Sequence, residues 1–160
     1  MLTFRELYEA HAPEVYKFAY WLAGDASEAE DIVSETFIRA WVKRQTIRTE
    51  TLNAYLFKIA RNYFLGQHRK QKPLTTLETD LPDPAPQPQR LVEARQELMI
   101  VKDLLQTLPE IDRTAFVLRV QHDLPYAEIA RVLCISLAAA KVKIHRVRKK
   151  LIAETLDKEV

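Results

Sequence analysis

Two segments of the sequence, residues 61–72 and 141–150, carry several basic side chains and no acidic ones. Lysine and arginine bind the phosphates of nucleic acids. In the first segment, amides and aromatic rings alternate with the cations, and rings that stack on bases are typical of proteins that bind single strands. The pattern indicates two nucleic-acid contacts, although a solvated helix face would carry the same charges and the phenylalanines could equally be core. The first set of candidates, taken from the predicted helix that contains most of the first segment and begins before it, comprises Phe57, Lys58, Arg61, Asn62, Phe64, Gln67, His68, Arg69 and Lys70.

A third segment, residues 25–35, is acidic and contains no basic residue. Steps of four, three and four residues place two carboxylates and two aliphatic side chains on one face of a predicted helix. Carboxylates beside exposed aliphatics indicate a surface for a different partner, although single aliphatic residues on a surface are also common. This stripe consists of Asp31, Glu35, Ile38 and Val42.

The composition excludes several classes of protein. The 160 residues include 24 Lys and Arg against 22 Asp and Glu, with 48% hydrophobic residues, two Gly and one Cys. So few glycines argue against a phosphate-binding loop or a multi-hairpin β fold, and the predicted class is all-α. A single Cys allows no internal disulfide and fits a reducing compartment. No apolar run approaches the roughly 20 residues of a membrane span and no signal peptide is recognisable, so we expect a soluble cytoplasmic protein.

The sequence offers no catalytic or metal-binding constellation. Its four histidines are scattered, without the spacing that metal ligands on one helix require. The paired carboxylates fall at the start of a predicted helix, where acids are favoured in any case. We therefore expect a binding protein with no catalytic residue, no metal and no cofactor. The histidines are His11, His68, His122 and His145.

A proline-rich stretch divides the chain. Five of the eight prolines fall between residues 73 and 88, where neither a helix nor a paired strand can continue. At about 3.1 Å per residue, this stretch could span on the order of 50 Å. We predict two small helical domains, residues 1–72 and 90–160, joined by a flexible proline-rich linker, residues 73–89.

Apolar side chains at three- and four-residue steps predict three helices in the first domain. The first begins near residue 4 and is interrupted or kinked near Pro13. Ser27 with Glu30 has the pattern of a capping box, which would start the second helix. The third is expected over residues 52–71.

The second domain ends in two helices joined by a short turn. The sequence predicts a helix over residues 126–133, a tight connection, and a final helix of about 20 residues that Ser136 caps. Asp112 is expected to cap the short helix that precedes this pair. Apolar residues inside and basic residues outside are typical of a helix-turn-helix with a basic recognition helix. The outward basic residues are Lys141, Lys143, His145, Arg146, Lys149 and Lys150.

Taken together, these segments resemble the extracytoplasmic-function sigma factors of bacterial RNA polymerase, the two-domain members of the sigma-70 family. The resemblance covers nearly the whole chain. It rests on five motifs that occur in this order around the linker. They lie at residues 25–41, 55–62, 108–110 with Arg113, 126–130 and 145–151.

The resemblance implies a protein that binds core RNA polymerase at the β′ clamp helices and the β flap, directs it to promoter DNA, and is held inactive by an anti-sigma factor. The second helix would contact the clamp. The third helix and the loop 44–51 would melt and read the minus-10 element, and the last helix would read the minus-35 element in the major groove. The implied polymerase contacts are Asp31, Glu35, Ile38, Arg39 and Trp41. The implied minus-10 contacts are Lys58, Arg61, Asn62, Phe64, His68 and Arg69. The implied minus-35 contacts are Ser136, Lys141, Val142, Lys143, His145, Arg146 and Lys149.

The sequence departs from the family pattern at two places. Cys134 stands where the family usually has Gly, which implies a strained or adjusted turn. We expect this Cys to be a small buried core residue. Residues 137–140 lack the polar side chains often found there, so contacts at one end of the minus-35 site should differ.

A freestanding helix-turn-helix regulator is the alternative interpretation. It would explain the basic residues 141–150. It leaves the acidic second helix and the basic, aromatic third helix without a role.

Overall fold

The structure, a computed structural model, describes residues 3–48, 52–70 and 89–158. Within these ranges the chain forms seven α-helices, a short 3₁₀ helix at Arg44–Thr46 and no strand, which confirms the all-α class. The predicted linker, residues 73–89, lies outside the described residues except for Gln89, which begins a helix. The helices are α1 Phe4–Ala23, α2 Ala26–Val42, α3 Leu52–Lys70, α4 Gln89–Gln106, α5 Glu110–Val120, α6 Tyr126–Leu133 and α7 Leu137–Lys158.

α1 is one continuous helix, so of the two alternatives predicted near Pro13, an interruption or a kink, the interruption is wrong. The Thr3 hydroxyl accepts a hydrogen bond from the N–H of Glu6, and the Glu6 carboxylate accepts one from the N–H of Thr3, each at 3.1 Å. Pro13 removes one helical hydrogen bond, yet the helix continues past it. Gly24 ends the helix in the left-handed region, at φ +76°, and its N–H donates to the carbonyl of Tyr20 at 2.7 Å.

α2 begins at a different cap from the predicted one. The Asp25 carboxylate accepts a hydrogen bond from the N–H of Glu28 at 2.9 Å, so the predicted capping box of Ser27 and Glu30 is wrong. A charged acceptor here also interacts favourably with the helix dipole, which favours the earlier start.

Helices α1, α2 and α3 pack against one another and form the amino-terminal half. Large apolar side chains fill the space between them. Full burial of one such side chain contributes about 1.5–3 kcal/mol. The largest fully buried members are Phe18, Leu22, Ile32, Phe37 and Leu56.

Helices α4 to α7 form the carboxy-terminal half, in which α5, α6 and α7 pack around Leu118, Ile129 and Ile144. α5 follows Pro109 directly, without a side-chain cap. The predicted cap, Asp112, lies instead inside the first turn, so that prediction is wrong. The fixed φ of Pro109, −53°, already suits the start of a helix and moves that start upstream.

A buried arginine ties α5 to the end of α4. Arg113 is only 5% exposed, and its guanidinium donates to the carbonyls of Leu105 and Leu108 at 3.5 Å each. Burial lowers the pKa of Arg113, while the nearby Glu110 raises it. The carbonyl of Leu105, near the end of α4, and that of Leu108, just beyond it, thereby gain a side-chain donor.

The turn between α6 and α7 has the predicted length and cap. The Ser136 hydroxyl accepts a hydrogen bond from the N–H of Ala139 at 3.1 Å. Cys134 is left-handed, at φ 57° and ψ 43°, and the N–H of Ile135 reaches back to the carbonyl of Ala130 at 3.0 Å, which closes a Schellman motif. Cys134 is exposed, so its predicted burial is wrong. The residue lies past the end of α6, beyond the packed face.

Candidate nucleic-acid interface

α7 presents a basic face to solvent. Residues 142, 145, 146 and 149 are exposed and recur at three- and four-residue steps, so they share one side of the helix. Lys141 flanks this face, with its ammonium 5.7 Å from the centre of the Tyr126 ring. The exposed Ser136 lies at the start of the same helix. We call Lys141, Val142, His145, Arg146 and Lys149 the α7 basic face.

Lys143 differs from the other cations predicted on α7. Its ammonium lies 3.3 Å from the Asp112 carboxylate, and both side chains are about one-quarter exposed, at 27% and 26%. Lys143 therefore ties α7 to α5. In this arrangement its charge is directed at a carboxylate of its own chain.

Among the predicted minus-10 residues of α3, Arg61 is committed to another helix. Its Nε and Nη2 atoms donate to the two carboxylate oxygens of Glu110 at 2.6 and 2.9 Å. The Thr114 hydroxyl donates to the same carboxylate at 2.7 Å. The Arg61 side chain is only 12% exposed. Its guanidinium therefore points into the contact between the two halves.

The aromatic part of the α3 prediction is contradicted by burial. Phe64 is 4% exposed and packs on the His68 ring, with centroids 4.1 Å apart, so it offers no open face to a base. Phe57, whose role the sequence left open, is 3% exposed and belongs to the core. His68 is exposed and lies 2.6 Å from Glu28 of α2. The apolar stripe of α3 is wider than the spacing suggested and takes in both phenylalanines.

The remaining α3 candidates differ in their exposure to solvent. Asn62 and Arg69 are exposed. Lys58 is half-buried and lines a cavity of about 170 Å³ between α3 and α6, together with Glu128 and Arg131. Part of the predicted minus-10 surface is thus open, and part faces the carboxy-terminal half.

The mixed stripe on α2 is exposed as predicted. Ile38 is 53% and Val42 is 75% exposed, and Asp31 is exposed beside them. Arg39 bonds to Glu35 at 3.1 Å, and both remain accessible. The stripe therefore presents aliphatic and charged groups together.

The last predicted polymerase contact, Trp41, is half-buried at the end of α2. Its ring meets Phe4 edge-on at 5.6 Å, and the Arg44 guanidinium lies 4.2 Å from its centre. Arg44 also donates to the carbonyl of Trp41 at 2.9 Å. Trp41 thus supports the stripe more than it contributes an open surface.

The residues that join the two halves were not among those predicted from the sequence. His122 is 1% exposed in its side chain, lies between Phe18 and Phe57, and contacts Glu14 at 2.8 Å. Gln106 donates to the last carbonyls of α1. These contacts join positions 65 to 108 residues apart, and no local periodicity could have indicated them.

Within the part of the chain that the structure describes, no cluster of three or more His, Cys, Asp or Glu side chains is arranged to hold a metal ion. None of the helices in this part combines the length and the apolar character that crossing a membrane needs.

A capped helix-turn-helix with an outward basic face defines a DNA-binding protein of the helix-turn-helix class. Residues 7–73 match the family model for Sigma-70 region 2, and residues 98–151 match that for Sigma-70 region 4. The chain belongs to the extracytoplasmic-function sigma factors, within the sigma-70 family.

Two named relatives are similar in sequence to this chain over nearly its whole length. The chain is 32% identical over 156 residues to the ECF RNA polymerase sigma factor SigE of Mycolicibacterium smegmatis, covering 94% of this chain and 61% of that protein. It is 29% identical over 155 residues to the ECF RNA polymerase sigma factor SigM of Bacillus subtilis, covering 94% and 93%.

Solved structures show the same fold. The sigma factor RpoE from Bartonella quintana, crystallised with the anti-sigma factor NepR, has a TM-score of 0.76 and 26% identity, covering 92% of this chain and 93% of that one. CnrH in complex with the cytosolic domain of CnrY has a TM-score of 0.71 and 25% identity, covering 98% and 89%.

Proposed function

We propose that this chain directs core RNA polymerase to specific promoters and acts in the cytoplasm, without catalysis of its own. The α7 basic face is the single observation that carries the proposal. It combines exposed cations with a capped, rigid helix behind a helix-turn-helix, the arrangement that places side chains in a major groove. Family membership supplies the polymerase as the partner.

The α7 basic face reads the minus-35 element. Arg146 and His145 are exposed near its middle, where a helix in the major groove approaches base edges most closely. Lys141 and Lys149 lie towards the two ends of this face and bind phosphates. Lys143 contributes less, since Asp112 neutralises it.

α3 and the loop before it read the minus-10 element. Asn62 and Arg69 are accessible, and an amide side chain can hydrogen-bond to a base edge while a guanidinium binds phosphate. Lys58 and Arg61 join this surface only after the carboxy-terminal half has moved away. Phe64 stabilises the hydrophobic core and does not stack on a DNA base.

The α2 stripe docks on the polymerase β′ clamp helices. Its exposed aliphatic side chains, Ile38 and Val42, lie beside the carboxylates of Asp31 and Glu35, an arrangement that fits the apolar centre and polar rim of a protein interface. The β flap is the proposed second contact, on the carboxy-terminal half.

Residues 1–72 and 90–160 act as two modules, with residues 73–89 as the tether between them. Two weak DNA contacts joined by a tether on one scaffold bind more tightly than either alone. An anti-sigma factor is a further proposed partner, because structures similar to this chain are of sigma factors bound to such proteins.

Transcription with purified core polymerase and a randomised promoter library tests the proposal. The chain should select promoters with two conserved elements. Asn62→Ala should relax selection at the minus-10 element and Arg146→Ala at the minus-35 element. Arg148→Ala is the comparison variant: Arg148 is exposed seven residues after Lys141, on the phosphate-binding edge away from Arg146, so its loss should weaken binding without relaxing selection at the minus-35 element. Specific duplex binding by the chain alone, with no initiation on any promoter, would instead indicate a freestanding regulator.

A further inference from the structure

Several polar side chains of the carboxy-terminal half contact the amino-terminal half, among them Gln106, Glu110 and His122. Gln106 donates to the carbonyls of Trp21 and Leu22 at 3.2 and 3.3 Å. Glu110 binds Arg61, and His122 enters between two phenylalanines. We call this packing of the carboxy-terminal half on α1 and α3 the closed arrangement.

Glu110 occupies Arg61 in the way that a phosphate would. Two parallel hydrogen bonds, at 2.6 and 2.9 Å, join the guanidinium to the carboxylate, and the same fork binds phosphate oxygens. The Thr114 hydroxyl also donates to Oε1 of this carboxylate, at 2.7 Å, and holds it in place. With 12% and 19% of the two side chains exposed, DNA cannot reach this guanidinium while the pair is intact.

His122 covers the neighbouring part of α3. Its ring lies 4.7 Å from the Phe57 ring and 6.0 Å from the Phe18 ring, and its Nδ1 contacts the Glu14 carboxylate at 2.8 Å. The next residue, Asp123, has a φ of 52°, which costs backbone strain in a residue other than glycine. The turn is thus shaped to place His122 against α1 and α3.

We propose that the closed arrangement is self-inhibitory, with Glu110 acting as an internal competitor of DNA phosphate for Arg61. The inference rests on the proposed function, in that α3 is the minus-10 surface. Opening breaks the pair, uncovers Lys58 and releases Arg61 to DNA. Because one guanidinium fork holds one oxyanion at a time, closure and full single-strand binding exclude each other.

Glu110→Gln tests this competition in the full chain. Glutamine retains the size of the side chain and an acceptor for Thr114 but loses the charge that binds Arg61. We expect small-angle scattering to show a larger radius of gyration. We also expect about tenfold tighter binding to a fluorescent single-stranded DNA of mixed sequence. The salt dependence of binding should steepen by about 0.7 in log–log slope, the value of one added phosphate contact.

Matched variants separate release of Arg61 from other effects. Glu97→Gln removes the same charge from an exposed site on α4 and should change neither the scattering nor the salt slope. Arg61→Gln combined with Glu110→Gln should open the chain and cancel the gain in slope. His122→Ala should open the chain by a second route, which keeps the test valid if Glu110→Gln folds poorly.

The outcomes distinguish this inference from the proposed function. If Glu110→Gln and His122→Ala both stay compact and bind DNA as the original chain does, the self-inhibition is wrong. If the chain opens and the slope is unchanged, Glu110 does not compete with phosphate. Arg61→Gln in reconstituted holoenzyme then decides the role of α3: reduced promoter melting keeps the minus-10 assignment, and unchanged melting removes Arg61 from it.

Discussion

α7 shows Arg146, His145 and Lys149 to solvent, whereas α3 directs Arg61 at Glu110 and His68 at Glu28. The two helices have the same kind of basic sequence, and their surroundings make the difference. α7 lies at the edge of its half, while α3 lies between its own half and α6. A run of cations therefore indicates where DNA can bind, but tertiary contacts decide which cations are available to it.

The largest expected effect is a loss of stability when a buried aromatic side chain of α3 is removed. Phe64→Ala should destabilise the chain by about 3–5 kcal/mol, because it leaves a cavity in the core. Urea unfolding followed by circular dichroism measures this loss. Phe4→Ala is the control, since Phe4 is 40% exposed and should cost far less.

Phe64→Leu tests whether the ring of Phe64 stacks on a DNA base. It preserves an apolar core side chain and removes the ring, so single-stranded DNA binding should stay within about twofold of the original. A loss of roughly 1–3 kcal/mol in binding, the value of one stacked base, would show that the ring does reach DNA.

The next effect concerns the exposed helix. Arg146→Ala should cost about 1–3 kcal/mol of promoter binding by the holoenzyme, the usual value of a specific base contact. Fluorescence anisotropy on a selected promoter measures it. Lys143→Ala should have a smaller effect on binding, because Lys143 already pairs with Asp112. Equal losses from the two variants would remove the distinction between them.

Acid should loosen the contact around α3. Burial lowers the pKa of His122, an effect opposed by the hydrogen bond and charge of Glu14 and reinforced by Lys17, while α3 contributes the uncharged Phe57. The closed arrangement favours the neutral ring, so its stability is fully present above the ordinary histidine pKa of about 6.5 and declines as pH falls below that value.

The radius of gyration should therefore increase between about pH 7.5 and pH 5.5. His122→Asn should remove most of this pH dependence, whereas His145→Asn, on the exposed helix, should leave it intact. A pH dependence equal in both variants would assign the effect to other groups.

The smallest effect concerns the turn before α7. Cys134→Gly should stabilise the chain by up to about 1 kcal/mol, because relief of the left-handed strain exceeds the extra entropy of glycine in the unfolded chain. Thermal unfolding measures it. Cys134→Val should act in the opposite direction, since a β-branched residue tolerates this backbone least.

Local patterns in the sequence predicted the elements of the fold well. The bounds of α6 and the Ser136 cap follow from apolar spacing and hydroxyl chemistry within a few residues. Competing local signals were harder to rank: Asp25 displaced Ser27 as a cap because both side chains can accept the same kind of bond. The start of α5 moved to Pro109 for a similar reason.

The candidate site was predicted only in part. The exposure of α7 and of the α2 stripe follows from which helix faces are apolar. Arg61 is paired with Glu110 and Phe57 is covered by His122. These partners lie 49 and 65 residues further along the chain. No spacing rule connects such positions, so the partners of a cation on α3 could not be read from its own helix.

Gly24 has a second role that follows from its position beside Gln106. A Cβ atom at residue 24 would lie 3.0 Å from Cδ of Gln106, the side chain that donates to the last carbonyls of α1. Residue 24 must therefore both adopt a left-handed backbone conformation and leave room for the Gln106 side chain. A side chain added at residue 24 would strain the end of α1 and would also require the Gln106 side chain to shift, so one substitution would affect both helix termination and a contact between the two halves.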